Sequence, residues 1–185
     1  MNLKTEDKFK KIAHHKAIIH QGYLFASKGI SLRCRKVESK KTSFYLTLKS
    51  SVGGRCVEIE NLIDERDFND LWSQCMNKLE KIRYFIYDKN NVWEVDFFKD
   101  HNQENYFCLA EFEIKEADAV LGAMPIFHKN IPNFIKEDLL HEVELTDCKF
   151  SSKLLADIRY ATKLYNDIKE SSNEKLQTGK HTSCS

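Results

Sequence analysis

The residues of this chain that could do chemistry recur as charged pairs two positions apart. They are Glu6 and Lys8, Arg33 and Arg35, Glu58 and Glu60, Lys81 and Arg83, Glu94 and Asp96, and Glu111 and Glu113. In extended backbone, residues i and i+2 point to one side, so each pair would share a sheet face. The interleaved positions are apolar: Cys34, Ile59, Ile82, Val95 and Phe112. An ordinary half-solvated sheet also alternates in this way, but it usually mixes signs and uses Ser, Thr and Gln freely. Here most of the pairs are sorted by sign, and like charges this close repel unless something neutralises them. Guanidinium forks suit phosphate oxygens, and paired carboxylates suit hard divalent cations. A polyphosphate carrying a chelated metal ion would answer both groups at once.

Elements that could position these pairs are legible along the chain. Short stretches rich in Val, Ile, Phe and Tyr run from Lys4 to Ile114, punctuated at Lys28-Gly29, Val52-Gly53-Gly54 and Lys89-Asn90-Asn91. Two hairpins stand out, Ser31 to Val37 with Phe44 to Ser50, and Lys81 to Tyr87 with Val92 to Phe98. Phe68, Leu71, Trp72, Cys75, Met76 and Leu79 recur at helical spacing after Asp64, which reads as an N-cap. Leu154, Ile158, Ala161, Tyr165 and Ile168 predict a second helix from about Lys153 to Glu170. Between Ala117 and Phe150 the signals are mixed and predict one short helix and a late strand. Beyond Ser171 a single Leu and no periodicity predict a disordered tail.

Composition bounds the function classes. The 185 residues fit one domain, here 1–170 followed by the tail 171–185. Because 29 Lys and Arg face 28 Asp and Glu, no global basic field draws the chain to nucleic acid or an anionic membrane, and any anion site must be local. The six cysteines form no CxxC pair, which argues against a zinc cage and for reduced thiols in a cytoplasmic setting. No apolar run approaches membrane-spanning length. The seven histidines show no ligand spacing.

From Lys4 to about Ala156 the motifs and their order resemble the CYTH proteins, the triphosphate tunnel metalloenzymes, and the short bacterial members most. The match begins at Lys4-Thr5-Glu6-Asp7-Lys8 against an opening ExExK, followed by Gln21-Gly22-Tyr23-Leu24 and Arg33-Cys34-Arg35. It continues through Thr47-Leu48-Lys49-Ser50, Glu58 with Glu60, Glu80-Lys81-Ile82-Arg83-Tyr84, Trp93 to Phe98, and Glu111 with Glu113. The resemblance implies an α+β fold, an eight-stranded antiparallel β-barrel with a charged lumen and flanking helices. It implies phosphate contacts from Arg33, Arg35, Lys49, Lys81 and Arg83, and Mg or Mn held by Glu6, Glu111 and Glu113, with Glu58, Glu60, Glu94 and Asp96 as further candidates. Lys8 and Tyr23 would be catalytic. The implied reaction is metal-dependent hydrolysis of a triphosphate, inorganic triphosphate first. The alternatives are a non-hydrolytic polyphosphate- or nucleotide-binding module, a class IV adenylate cyclase and a thiamine triphosphatase. The partner would be a small-molecule triphosphate, with neither nucleic acid nor membrane, and homodimerisation stays open. Lys4 stands in place of the first motif glutamate, which predicts a weakened metal site and slow turnover.

Overall fold

The computed structural model describes residues 1–52, 55–89, 91–112, 131–143 and 147–178. Its centre is one antiparallel sheet of β1 (His15–Ser27), β2 (Ile30–Glu38), β3 (Thr42–Val52), β4 (Arg55–Ile63), β5 (Asn77–Asp88), β6 (Asn91–Lys99) and β7 (Asn105–Phe112). The spatial order is β4-β3-β2-β1-β5-β6-β7. Short links suffice for antiparallel neighbours, and at the first of them Gly29 adopts a φ of 79°, which a side chain would resist. Both expected hairpins form, as β2 with β3 and β5 with β6.

The expected eight-stranded barrel is not closed among the described residues. Among the described residues the sheet has seven strands and is open, with β4 and β7 as its two ends. One reason lies at the amino end, where Glu6 and Lys8 were expected on an opening strand. That segment is instead helix α1, Glu6–Ile12. Glu6 and Asp7 occupy its first turn and Lys10 and Lys11 its last, a distribution that complements the helix dipole. Phe9 projects from it into complete burial. The late strand expected between Ala117 and Phe150 would fall partly on 113–130 and 144–146, which lie outside the described residues.

Helix α2 (Glu65–Gln74) starts as the sequence predicts, with the Asp64 carboxylate accepting from the Asp67 N–H at 2.8 Å. Helix α3 is a single turn, Asn133–Lys136. The expected helix near 153–170 is two: α4 (Ser152–Leu155) and α5 (Ile158–Thr178). The break falls at Asp157, whose carboxylate accepts from the N–H groups of Arg159 (3.0 Å) and Tyr160 (3.2 Å) and so starts a new helix. Helix α5 also continues through Ser171 to Thr178, where a disordered tail was expected. Its polar run is rich in helix formers, and the Ser172 hydroxyl anchors it to the Leu140 carbonyl at 2.7 Å.

One face of the sheet is apolar and covered. Phe9, Met1 and Ile135 pack on Tyr84, Ile86, Val95, Phe97 and Cys108, while Phe68, Leu71 and Trp72 of α2 pack around Cys34, Phe44 and Leu46. A third cluster lies on the other face, in phase with Arg33, Lys81 and Asp96: Tyr23, Leu79, Phe98 and Phe107 join Phe150, Leu155 and Ala161, bringing α4 and α5 onto one end of the charged side. No described helix is long and apolar enough to cross a membrane.

Helix α2 comes close to β1 only because residue 22 is glycine. A Cβ there would lie 2.5 Å from Cys75 Sγ and 3.0 Å from the Trp72 ring. Gly22→Ala is therefore expected to destabilise the protein by about 1–3 kcal/mol, the cost of overpacking. Thermal or urea unfolding would measure it, and a variant as stable as the parent would show that α2 shifts freely.

Candidate functional site

Strand register decides which charges meet. Arg33 and Arg35 of β2 stand opposite Tyr23 and Gln21 of β1 and opposite Thr47 and Tyr45 of β3. Thr47 and Lys49 stand opposite Glu60 and Glu58 of β4. On the other flank Lys81 and Arg83 of β5 face Ile19 and Ala17 of β1, Arg83 faces Asp96 of β6, and Glu94 faces Glu111 of β7. Cross-strand partners share a face. One side of the sheet thus gathers Arg33, Arg35, Lys49, Lys81 and Arg83 with Glu58, Glu60, Glu94, Asp96 and Glu111.

The centre of this face is dry and saturated. Asp96 is 0% exposed and Lys81 4%, and they form a direct ion pair. Arg83 donates to both Asp96 oxygens at 2.7 Å, pairs with Glu94, and lies 3.6 Å from Glu111. Burial opposes ionisation of Asp96, but Lys81 and Arg83 outweigh it and hold the carboxyl below its usual range. Burial pushes the Glu94 carboxyl up, and the like charges of Asp96 and Glu111 push the same way against Arg83.

Toward β4 the face is wetter. Arg33 pairs with Glu58 at 3.0 Å, Arg35 pairs with Glu60 at 2.7 Å, and Lys49 reaches Glu58 at 3.4 Å. The Thr47 hydroxyl donates to Glu60 at 2.7 Å, and the Arg35 guanidinium lies over the Tyr45 ring. The Nε atoms of both Arg33 and Arg35 are buried and have no hydrogen-bond partner. Arg35 is pushed below its ordinary value by burial and by the neighbouring Arg33. The buried Tyr23 hydroxyl accepts from Gln21 Nε2 at 2.8 Å, and its acidity is lowered by burial, with Arg33 pulling the other way.

Three expected site residues lie elsewhere. Glu6, on α1, accepts from Lys99 (2.6 Å), Asn105 (2.9 Å) and the Tyr84 hydroxyl (3.0 Å), so its carboxylate docks the helix on the apolar side of the sheet. Lys8 is spent on Glu137 (2.8 Å) and Asp138 (2.7 Å). Lys4 sits exposed in the 3-10 turn Leu3–Thr5 and not on a strand of the sheet. Helical rather than extended backbone is the common cause. Glu111 is on the charged face at its exposed edge, 52% accessible, and Glu113 lies outside the described residues. Two positions missed by counting charges are Gln21 and Thr47, both buried and polar. Their signal was their phase, two residues from Tyr23 and Lys49.

Burial opposes ionisation of Glu6 as well, yet its bonds to Lys99 and Asn105 prevail and lower its pKa. Its stabilisation is complete above the ordinary carboxylate pKa and is lost as pH falls through the depressed folded value. Acid titration should therefore weaken α1 docking, and Glu6→Gln should flatten that part of the stability profile. An unchanged acid limb in the variant would refute this role.

Metal fit follows from the same contacts. Among the described residues no three His, Cys, Asp or Glu side chains cluster as a ready cation site. Glu94 and Glu111 nevertheless face each other across paired strands with one guanidinium between them. Mg is commonly held by one or two carboxylates together with substrate phosphates and water, so this donor set fits Mg or Mn when a polyphosphate is present.

No protein-family model matches the chain, and no curated protein matches it. Among solved structures, it is similar to the PH1819 protein of Pyrococcus horikoshii OT3, at 21% identity and a TM-score of 0.49 over 70% of this chain and 82% of that one. It is also similar to HpAC1 of Hippeastrum, a candidate adenylyl cyclase described as having a dominant triphosphatase activity. That match has 17% identity and a TM-score of 0.44, over 69% of this chain and 79% of that one.

Proposed function

We propose that the charged face binds a triphosphate together with Mg or Mn and hydrolyses its terminal phosphoanhydride bond, with inorganic triphosphate as the first substrate. The observation that carries this is the pair of buried, unpartnered Nε–H groups on Arg33 and Arg35. Buried donors without acceptors are costly, and two of them on adjacent guanidinium forks are chemistry suited to phosphate oxygens. Lys49, half exposed beside them, adds a mobile point charge.

Arg83, its plane fixed by the fork it makes on Asp96 beside Lys81, would turn to the phosphate the amino group that faces Glu94 once a divalent ion takes that carboxylate. Glu94 and Glu111, with Glu58 and Glu60 as reserves, would hold the divalent ion, which would neutralise charge on the phosphoryl group as it is transferred. The Tyr23 hydroxyl accepts from Gln21 and keeps its own proton, so it can donate to a phosphate oxygen or orient a water beside Arg33. Small members of the same class, thiamine triphosphate and ATP, would be secondary substrates.

Phosphate release from triphosphate, thiamine triphosphate and ATP, each with Mg or Mn, tests the reading. Release should be fastest with triphosphate, and chelation of the metal should abolish it. Glu111→Gln should cut metal-dependent release at least tenfold while leaving the melting temperature nearly unchanged, because Glu111 is exposed and only 3.6 Å from Arg83. A second reading, capture without turnover, is favoured by the absence of a three-ligand metal cluster among the described residues. Tight triphosphate binding with no phosphate released would select it.

A further inference from the structure

A pair of thiols lies on the opposite side of β2 from the arginines. Cys34 is fully buried, and its Sγ lies 3.5 Å from Cys75 Sγ at the end of α2. Gly22 stands opposite Cys34 in the sheet, and its missing side chain leaves the space that the Cys75 thiol fills. The chain is held there on both sides, by Cys75 N–H to the Trp72 carbonyl (3.2 Å) and Met76 N–H to the Tyr23 carbonyl (3.1 Å). Closing to a disulfide length of about 2.05 Å asks the two sulfurs to approach by roughly 1.5 Å, a displacement that side-chain rotation at both ends can share.

We infer that Cys34 and Cys75 form a redox modification site, in which a peroxide oxidises them to a disulfide that staples α2 to β2. The Cys75 thiolate attacks one oxygen of hydrogen peroxide. The O–O bond breaks, a sulfenic acid forms on Cys75, and the departing hydroxide takes up a proton as water. Cys34 Sγ then attacks Cys75 Sγ: the S–S bond forms, the S–O bond breaks, and the leaving hydroxide carries off the Cys34 proton as a second water. Two thiols lose two electrons and two protons, and one peroxide becomes two waters. Cys75 takes the first step because it is the less buried of the two and Lys78 lies close enough to favour its thiolate. Burial pushes the Cys34 thiol up to about 12 and raises Cys75 as well, so oxidation is slow at neutral pH. Its rate should rise about tenfold per pH unit below the Cys75 pKa.

The test treats the full chain with hydrogen peroxide at pH 7 and pH 8, followed by non-reducing peptide mapping and thermal melting. The expected results are a Cys34–Cys75 cross-linked peptide, formed about tenfold faster at pH 8, and a melting temperature raised by about 5–10 °C and restored by a thiol reductant. Cys34→Ser should abolish the cross-link and leave Cys75 trappable as a sulfenic acid. The inference is overturned if Cys75 of the unsubstituted protein proceeds to sulfinic acid while Cys34 stays a thiol. It is equally overturned if the cross-link forms only after denaturant has unfolded the chain. Neither outcome depends on phosphate binding.

Discussion

Asp96→Ala is expected to destabilise the fold by about 3–5 kcal/mol, because it leaves Lys81 as a charge without its counterion in a dry interior. For a chain of this length that corresponds to a fall of roughly 10 °C in melting temperature. Arg83 would keep Glu94 and Glu111, whereas the Lys81 ammonium, 4% exposed, would lose its ion-pair partner. Replacing both members as Lys81→Met with Asp96→Leu should recover most of the loss, since a buried pair often does no better than an apolar pair of similar volume. The difference between the single and double variants separates the cost of an orphaned charge from the worth of the pair. The Asp96 carboxyl is held below its usual range, so its stabilisation is full above the ordinary carboxylate pKa and falls away as pH drops through the depressed value. Asp96→Ala should accordingly flatten the acid limb of the stability curve. A single-variant loss under about 1 kcal/mol would mean that Lys81 is solvated in solution.

The period-two charge pattern of β2, β4, β5 and β6 was readable because strand side chains alternate strictly and each pair was flanked by residues such as Cys34, Ile59, Ile82 and Val95. The same pattern misled at Glu6 and Lys8. A pair at i and i+2 carries no period of its own, and the longer-range evidence for α1, Phe9 with its flanking Lys10, Lys11 and acidic first turn, outweighs it. Sheet closure was not readable either, since whether β4 meets β7 depends on twist and on residues remote in sequence. Which ion pairs form was also hidden. Arg83 prefers Asp96, directly opposite it, and Arg33 reaches across β3 to Glu58, choices set by register rather than by composition. Asp64 as a helix cap was legible because its chemistry is local, whereas the break at Asp157 competes with an unbroken apolar stripe from Leu154 to Ile168.

Replacing both Arg33 and Arg35 with alanine should weaken triphosphate binding by roughly 10²–10⁴-fold, since each charge-assisted contact contributes about 1.5–3 kcal/mol. The sharper experiment keeps the charge. Lysine at either position retains a cation able to pair with Glu58 or Glu60 but has no counterpart of the buried Nε–H. If Coulomb attraction alone held the phosphate, Arg33→Lys and Arg35→Lys would bind nearly as well as the parent. If the fork and its unpartnered donor do the holding, each should lose about tenfold in affinity with little change in melting temperature. The electrostatic setting favours the second outcome, because the face carries as many carboxylates as cations among the pairs described and therefore offers little net field to an incoming anion. Recognition must then come from directed donors, and from a divalent ion drawing Glu94 and Glu111 away from Arg83. Calorimetric titration with triphosphate, with and without Mg, distinguishes these cases: the lysine variants should lose affinity in both conditions, whereas Glu111→Gln should lose it only when Mg is present. Unchanged affinity in both lysine variants would remove the observation on which the phosphate assignment rests.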